Sequence, residues 1–248
     1  LLTFFIIMTG KLVFTLPARL RAVAALVPAG SAVADIGSDH AYLPLYLAGS
    51  GRCSRVIAVE VAPGPYRRTL AAVRGAGLTD RIEVRRGNGL APLQPGEVDT
   101  VTMTGLGAVT QQEILAAGPE VRQQLHHLIL QPQGKAGPLR RYLAAGGWRL
   151  QDEDLVLTGG HYYFIMAAVP GESPVYSDLE WELGPLLLQK RHPLLAGYIL
   201  DKMEKLTAAV GQLSRARGAV ALARQGELDR QLARLQEVAT WLQNAVKS

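Results

Sequence analysis

A chain of 248 residues with 48% hydrophobic and 19% charged side chains holds one large domain, or a medium domain with an appendage, around a real core, which excludes a disordered chain. Its single cysteine, Cys53, excludes an internal disulfide framework and points to a reducing compartment, the cytoplasm. The net charge of +5 is unevenly spread, with 16 basic against 16 acidic residues from Leu1 to Gly184 and 10 against 5 from Pro185 to Ser248, so the last quarter carries either the footprint of a polyanion partner or a merely solubilised helical surface.

In chain order, the opening run LLTFFIIMTG is too short to span a bilayer and lacks the basic start and small-residue cleavage site of a signal peptide. Met8 reads as the true start, with Leu1–Ile7 as translated upstream sequence; an edge strand or disordered tail is the alternative, and no other stretch suggests a membrane span. Short β-rich runs then alternate with helical ones. Strands are expected at Ala32–Ile36, Val56–Val59, Ile82–Arg85, Thr100–Met103 and Leu128–Gln131, and helices at Tyr42–Ala48, Pro65–Ala76, Val109–Ala117 and Pro138–Ala145. That alternation implies a parallel sheet with helical crossovers. WRLQDEDLVLTGGHYYFIMAAVP adds two β-rich runs around Gly159–Gly160, the mark of a hairpin. Parallel strands closed by an antiparallel pair outline an α/β fold of the class I (Rossmann-like) methyltransferase kind, where a dinucleotide-binding fold would continue with another crossover.

PGESPVYSD, from Pro170 to Asp178, reads as a linker. Beyond it, Ile199, Met203, Leu206, Val210 and Leu213 repeat at spacings of four and three, as do Leu228, Leu232, Leu235, Ala239 and Leu242. Two such helices, broken near Gly218, read as an antiparallel, coiled-coil-like hairpin with Lys202, Lys205, Arg215, Arg217, Arg224, Arg230 and Arg234 on its outer faces. The expected division is residues 1–15 as an extension, 16–170 as the ligand-binding domain and 171–248 as a helical domain.

Ligands of an open parallel sheet bind outside the carboxyl ends of its strands, near the switch in strand order. The first such loop is DIGSDHAYLP, with Asp35 at the strand end and Gly37 allowing a sharp turn and close approach of a ligand. The fingerprint G-x-G-x-x-G is absent, because Asp39 and Tyr42 stand at the later glycine positions. A carboxylate facing a pyrophosphate would be repelled by about 4 kcal/mol per unit-charge pair at ~4 Å and an effective dielectric of ~20. S-adenosylmethionine has no phosphate and carries cationic sulfonium and amino groups, so the loop suits it; the plainer alternative makes Asp39 an N-cap for the following helix. Glu60 closes the second strand, where an acid can hold ribose hydroxyls, and Asn88 after the third can bond an adenine ring or serve an ordinary Asn-Gly turn. Gly105 and Gly107 after the fourth strand would let backbone groups approach the methyl group or target base, or form a flexible turn. LQPQGK after the fifth is unlike the acidic or amide-Pro-Pro-aromatic loop that amino-group methyltransferases carry after strand four, which argues against chemistry at an exocyclic amine. Of the histidines, His126 and His127 enter a strand and His40 alone lies in the cleft; none has zinc-ligand spacing with cysteine, so no metal is expected. There is no nucleophile elbow and no P-loop.

LPARLRAVAALVPAGSAVADIGSDHAYLPLYL, EVAPGPYRRTLAAVRGAGLTDRIEVRRGNGL, TMTGLGA and LILQP together resemble the bacterial tRNA (adenine-22-N1)-methyltransferase family, TrmK, from about Leu16 to Pro170, with a related helical tail. The resemblance implies S-adenosyl-L-methionine as cofactor and 1-methyladenosine in tRNA as product. It places Asp35, Gly37, Ser38, Glu60 and Gly89 on cofactor motifs, to which His40, Val61, Asn88 and Gly105 are added, and Asp39 on the suspected catalytic acid. Gly107 falls near the transferred methyl, and the tail, with Lys202, Lys205, Arg215, Arg217 and Arg224, is expected to grip tRNA. Asn88 replaces the family's Asp, Ala108 the last glycine of its GMGG string and Gln133 its asparagine. Adenine N1 has a free in-plane lone pair, so the expected task is alignment, with Asp39 orienting the adenine and stabilising the positive charge that builds on it. A base obstructed in folded tRNA would leave its stack. The rivals are a methyltransferase for another RNA, a protein or a metabolite, a degenerate RNA-binding member of the fold, and a hairpin that binds a partner helix. A monomer is expected, with a weak dimer as the alternative.

Overall fold

Apolar runs enclosed on both faces become parallel strands, and the amphipathic runs between them cover the sheet. The computed structural model describes residues 5–8, 11–213 and 219–244. An antiparallel ribbon, β1 (Phe5–Met8) and β2 (Lys11–Phe14), precedes α1 (Ala18–Leu26). There follow β3 (Ala32–Ile36), α2 (Tyr42–Gly49), β4 (Arg55–Glu60), α3 (Pro63–Gly75) and β5 (Ile82–Arg86). The second half runs through β6 (Thr100–Gly107), α4 (Ala108–Ala117), α5 (Pro119–Arg122), β7 (His127–Gln133) and α6 (Gly137–Ala145). The hairpin of β8 (Trp148–Thr158) and β9 (His161–Pro170) closes it, with Gly159 and Gly160 both at positive φ in the turn.

The sheet order is β5-β4-β3-β6-β7-β9-β8. β3 to β7 are parallel, and β9 is antiparallel to both β7 and β8. This is the Rossmann-like methyltransferase sheet, and its switch in order lies between β3 and β6. Val33, Val56, Val101 and Leu128 are fully buried at its centre. α1 is not among the expected helices, yet Leu16, Leu20, Val23 and Val27 recur at spacings of four, three and four and are all buried.

The chain divides into two compact units, Leu1–Tyr176 and Ser177–Ser248. The second contains α7 (Asp178–Leu183), α8 (Pro185–Gln189), α9 (Leu195–Leu213) and α10 (Ala219–Asn244). The expected linker ends sooner than Asp178, because Ser177 and Glu180 form a capping box that starts α7. α9 and α10 pack on each other, with Ile199, Leu228, Leu235, Ala239 and Leu242 buried. Asp178, Glu180 and Glu182 thereby join the basic helices, leaving 10 basic against 8 acidic residues in this unit and 16 against 13 in the first. The basic excess is therefore shared between the units and does not belong to the helices alone. Among the described residues no helix is long and apolar enough to cross a membrane.

Candidate active site

The loop after β3 turns on Gly37, at φ +77, whose N–H donates to the Val59 carbonyl at 2.9 Å. A Cβ there would lie 3.5 Å from the Leu106 side chain, an ordinary van der Waals contact, so it is the positive φ and not crowding that calls for glycine. His40 and Ala41 follow at φ 67 and 57, left-handed without being glycine, inside a 3-10 turn over Asp39–Ala41. Each such residue costs on the order of 1–3 kcal/mol, and strain of this kind persists where surrounding structure imposes it. The kink separates Asp39 from α2, whose first turn has no side-chain cap. The N-cap alternative for Asp39 is thus overturned: the carboxylate points elsewhere.

Three acids gather around this turn. Asp35 is 1% exposed and its Oδ1 accepts the Thr102 hydroxyl at 2.6 Å. Burial pushes its carboxyl up to about 6, against the pull of the Thr102 and Ser38 hydroxyls. The Ser38 hydroxyl, itself buried, donates to the Asp35 carbonyl at 2.9 Å. Glu60 is 4% exposed; burial raises its pKa most, the neighbouring Asp35 and Asp39 charges add to that, and the Asp39 backbone N–H and the Thr69 hydroxyl at 3.4 Å oppose it. Asp39 is half-exposed, and its Oδ1 accepts Arg68 Nη2 at 2.9 Å and Nε at 3.2 Å. His40 Nε2 lies 3.8 Å from the same oxygen, and the His40 ring stacks on Tyr42 at 5.6 Å between centroids and 16° between planes. Val61, next to Glu60, is 61% exposed and offers an apolar face at the same edge.

The loop after β5 is tied to these acids, since the Gly87 N–H donates to the Glu60 carbonyl at 2.9 Å. Asn88 is exposed. Gly89 is at φ +55, and a Cβ there would lie 2.9 Å from Ile114, so glycine is required twice over. Arg85 anchors the loop through the Pro92 carbonyl at 2.8 Å and the Glu97 carboxylate, and its guanidinium holds Glu97 down at about 2.

The β6–β7 edge is built differently. Gly105, at φ +74, donates its N–H to Gln131 Oε1 at 3.1 Å. Gly107 has φ −61 and ψ 151 and is the N-cap of α4, a conformation any residue adopts, so of the two expected permissive glycines only Gly105 needs to be one. Ala108 is the first residue of α4, where alanine carries no conformational penalty. Gln131 is fully buried, and Gln133 and Lys135 are exposed. His127 opens β7, its pKa lowered mainly by burial. Arg19, Arg68, Thr102 and Gln131 belong to these contacts and were not foreseen, because each acts through a partner at least 26 positions away.

In the helical unit, Lys202 Nζ pairs with Glu182 Oε1 at 2.6 Å and Arg224 pairs with Glu227. Arg230 and Arg234 line a groove of about 320 Å³ together with Asp178, Glu182 and Glu227. Lys205 is exposed, and Arg215 and Arg217 lie outside the described residues. Much of the expected basic face is therefore matched by acids of its own unit. Among the described residues no group of three or more His, Cys, Asp or Glu side chains could hold a metal ion.

Acids without phosphate-binding glycines suit a cationic nucleoside, and comparison with known proteins gives the arrangement a context. The family described as tRNA (adenine(22)-N(1))-methyltransferase, TrmK, matches residues 33–237. The tRNA (adenine(22)-N(1))-methyltransferase of Bacillus subtilis strain 168 is 32% identical over 203 residues, covering 80% of this chain and 85% of that protein. A Streptococcus pneumoniae structure in complex with S-adenosyl-L-methionine superimposes with a TM-score of 0.82 at 30% identity, over 91% of this chain and 100% of that one. Mycoplasma capricolum TrmK with S-adenosyl-homocysteine gives 0.79 at 26% identity, over 91% and 98%.

Proposed function

The chain belongs to the TrmK family of tRNA (adenine(22)-N(1))-methyltransferases, and from that premise we propose how its cleft divides the work between methyl donor and adenine. The enzyme is an S-adenosyl-L-methionine-dependent tRNA (adenine-N1)-methyltransferase. When bound, the cofactor supplies an electrophilic methyl group on a sulfonium, and it brings no phosphate.

The chain's residues fit such a group. Asp35, Asp39 and Glu60 gather around a single turn, and the Asp35 and Asp39 charges add to the cost of ionising the buried Glu60, a cost that a cation offsets. Glu60 takes the ribose hydroxyls at the end of β4. Asp35 answers positive charge from beneath the turn formed by Gly37, Ser38 and His40, while Val61 and Asn88, with the backbone at Gly89, border the adenine ring of the cofactor. Gly105 and Gly107 face the incoming nucleotide.

Asp39 is the group for the acceptor. Adenine N1 carries no proton, so the chain need supply no base; it must align the ring and answer the charge that builds on it. A carboxylate beside the ring does so best where water is excluded, the converse of an oxyanion hole. Arg68 fixes the direction of that carboxylate from α3. The helical unit adds tRNA contacts through Lys205, Arg215 and Arg217, and the enzyme works as a monomer in the cytoplasm with its substrate. The observation that carries this reading is the clustering of three carboxylates at the β3–β4 edge. Incubating the purified chain with labelled cofactor and unmodified tRNA, then locating the methyl, tests it: label at N1 of adenine 22 is expected, and label elsewhere or none overturns it.

A further inference from the structure

Arg19 is spent on neutral groups. It extends from the first turn of α1, and α1 packs on β7, β8 and β9. Its Nη1 donates to Gln131 Oε1, the oxygen that also accepts the Gly105 N–H at 3.1 Å, while Gln131 Nε2 donates to the Pro132 carbonyl at 2.8 Å. Its guanidinium carbon lies 5.6 Å from the centroid of the Tyr163 ring. Among the described residues no carboxylate pairs with it. Burial presses its pKa down, but an arginine does not give up its proton, so a half-buried cation stands there with neutral neighbours.

A second observation says where its free capacity points. A Cβ on Gly105 would find Arg19 Nη1 at 3.6 Å and Gln133 Nε2 at 3.8 Å. Two donor groups thus flank bare backbone at the end of β6, where any larger residue would stand between them. Gln133 and Lys135 are exposed, so this recess opens to solvent, as contact with a polymer requires. A guanidinium fork matches two oxygens of a phosphate, and an amide donor matches a third.

Resting on the reading of the chain as a tRNA methyltransferase, we propose that Arg19 and Gln133 form an anion subsite over Gly105 that takes a backbone phosphate of the tRNA strand beside the methylated nucleotide. The subsite sets the strand's position on the β6–β7 edge, while Gln131 couples that position to the Gly105 loop. The carboxylate of the cofactor is the competing anion, and it is separated from phosphate by a salt series.

The full chain and its Arg19→Gln, Arg19→Lys and Gln133→Ala variants are titrated with tRNA over a range of salt, and with cofactor alone by calorimetry. Arg19→Gln keeps a donor for Gln131 and loses the charge. It is expected to weaken tRNA binding about tenfold and to reduce the slope of log affinity against log salt by about 0.9, with cofactor affinity within about twofold of wild type. Arg19→Lys should keep the slope, and Gln133→Ala should weaken tRNA binding about threefold without changing it. An Arg19→Gln slope equal to wild type overturns the subsite, and a loss of cofactor affinity with that slope unchanged assigns Arg19 to the cofactor instead. If Arg19→Gln fails to melt cooperatively, unchanged tRNA binding in the exposed variant Gln133→Ala overturns the subsite by itself. Wild-type enzyme that methylates tRNA while Arg19→Gln keeps the full slope sinks the subsite alone; wild-type enzyme that neither binds nor methylates tRNA sinks the tRNA reading with it.

Discussion

At the ends of β3 and β4 the chain gathers Asp35, Asp39 and Glu60, whereas the segments that end β6 and β7, TGLGAVT and QPQGKA, contain no acid and are joined by Arg19. The acids crowd until burial lifts two of them, Asp35 to about 6. The other edge is paired with carboxamides and an aromatic ring. One sheet edge is therefore divided by charge at the switch between β3 and β6, its acids suited to the cationic donor and to the charge that builds on the adenine, its arginine to the phosphates of the acceptor. A uniform edge of either sign would repel one of the two reactants.

The largest blow to this division should come from Asp39→Ala, with kcat down about 10²- to 10³-fold and cofactor affinity within about threefold, measured by single turnover and calorimetry. Equal loss of both would make Asp39 a cofactor ligand and move the dividing line. Glu60→Ala should weaken cofactor binding about 30-fold with less effect on tRNA binding, since it removes a charged acceptor of hydroxyl donors. The pH dependence sharpens the acid side further. Asp35 is protonated below about 6 and attracts a cation only above it, so cofactor affinity should rise roughly tenfold from pH 5 to pH 7 and stay flat in Asp35→Asn. Arg68→Ala should change kcat only about threefold and leave the melting temperature nearly unchanged, because a half-exposed ion pair is worth little. A large loss of stability there would make Arg68 a strut of the fold.

The strands were legible because buried parallel strands leave continuous apolar runs, and the expected cores of β3 to β7 lie inside the observed elements. The motif loops were legible because sheet geometry brings strand ends together. The direction of Asp39 was not, since nothing in SDHAY announces two successive left-handed residues, and a preferred capping residue looked ready to cap. Arg19 was hidden for a different reason: it meets Gln131 across 112 positions, and no local pattern encodes that pairing. The charge of the helical tail misled because a count that begins at Pro185 leaves out Asp178, Glu180 and Glu182 of α7, although Ser177 and Glu180 spell its capping box. Ala108, a departure from the family string, turned out to stand at an ordinary helical position.

The spacing of that divided edge also sets a specification for chemists. Neighbouring strands lie about 4.8 Å apart, so β3 and β7, with β6 between them, put the two ends of the cleft roughly 10 Å from each other. An inhibitor engaging both would be a zwitterion of that span, its positive head over the acids and its negative tail toward Arg19. Compounds of a single sign would grip one end only.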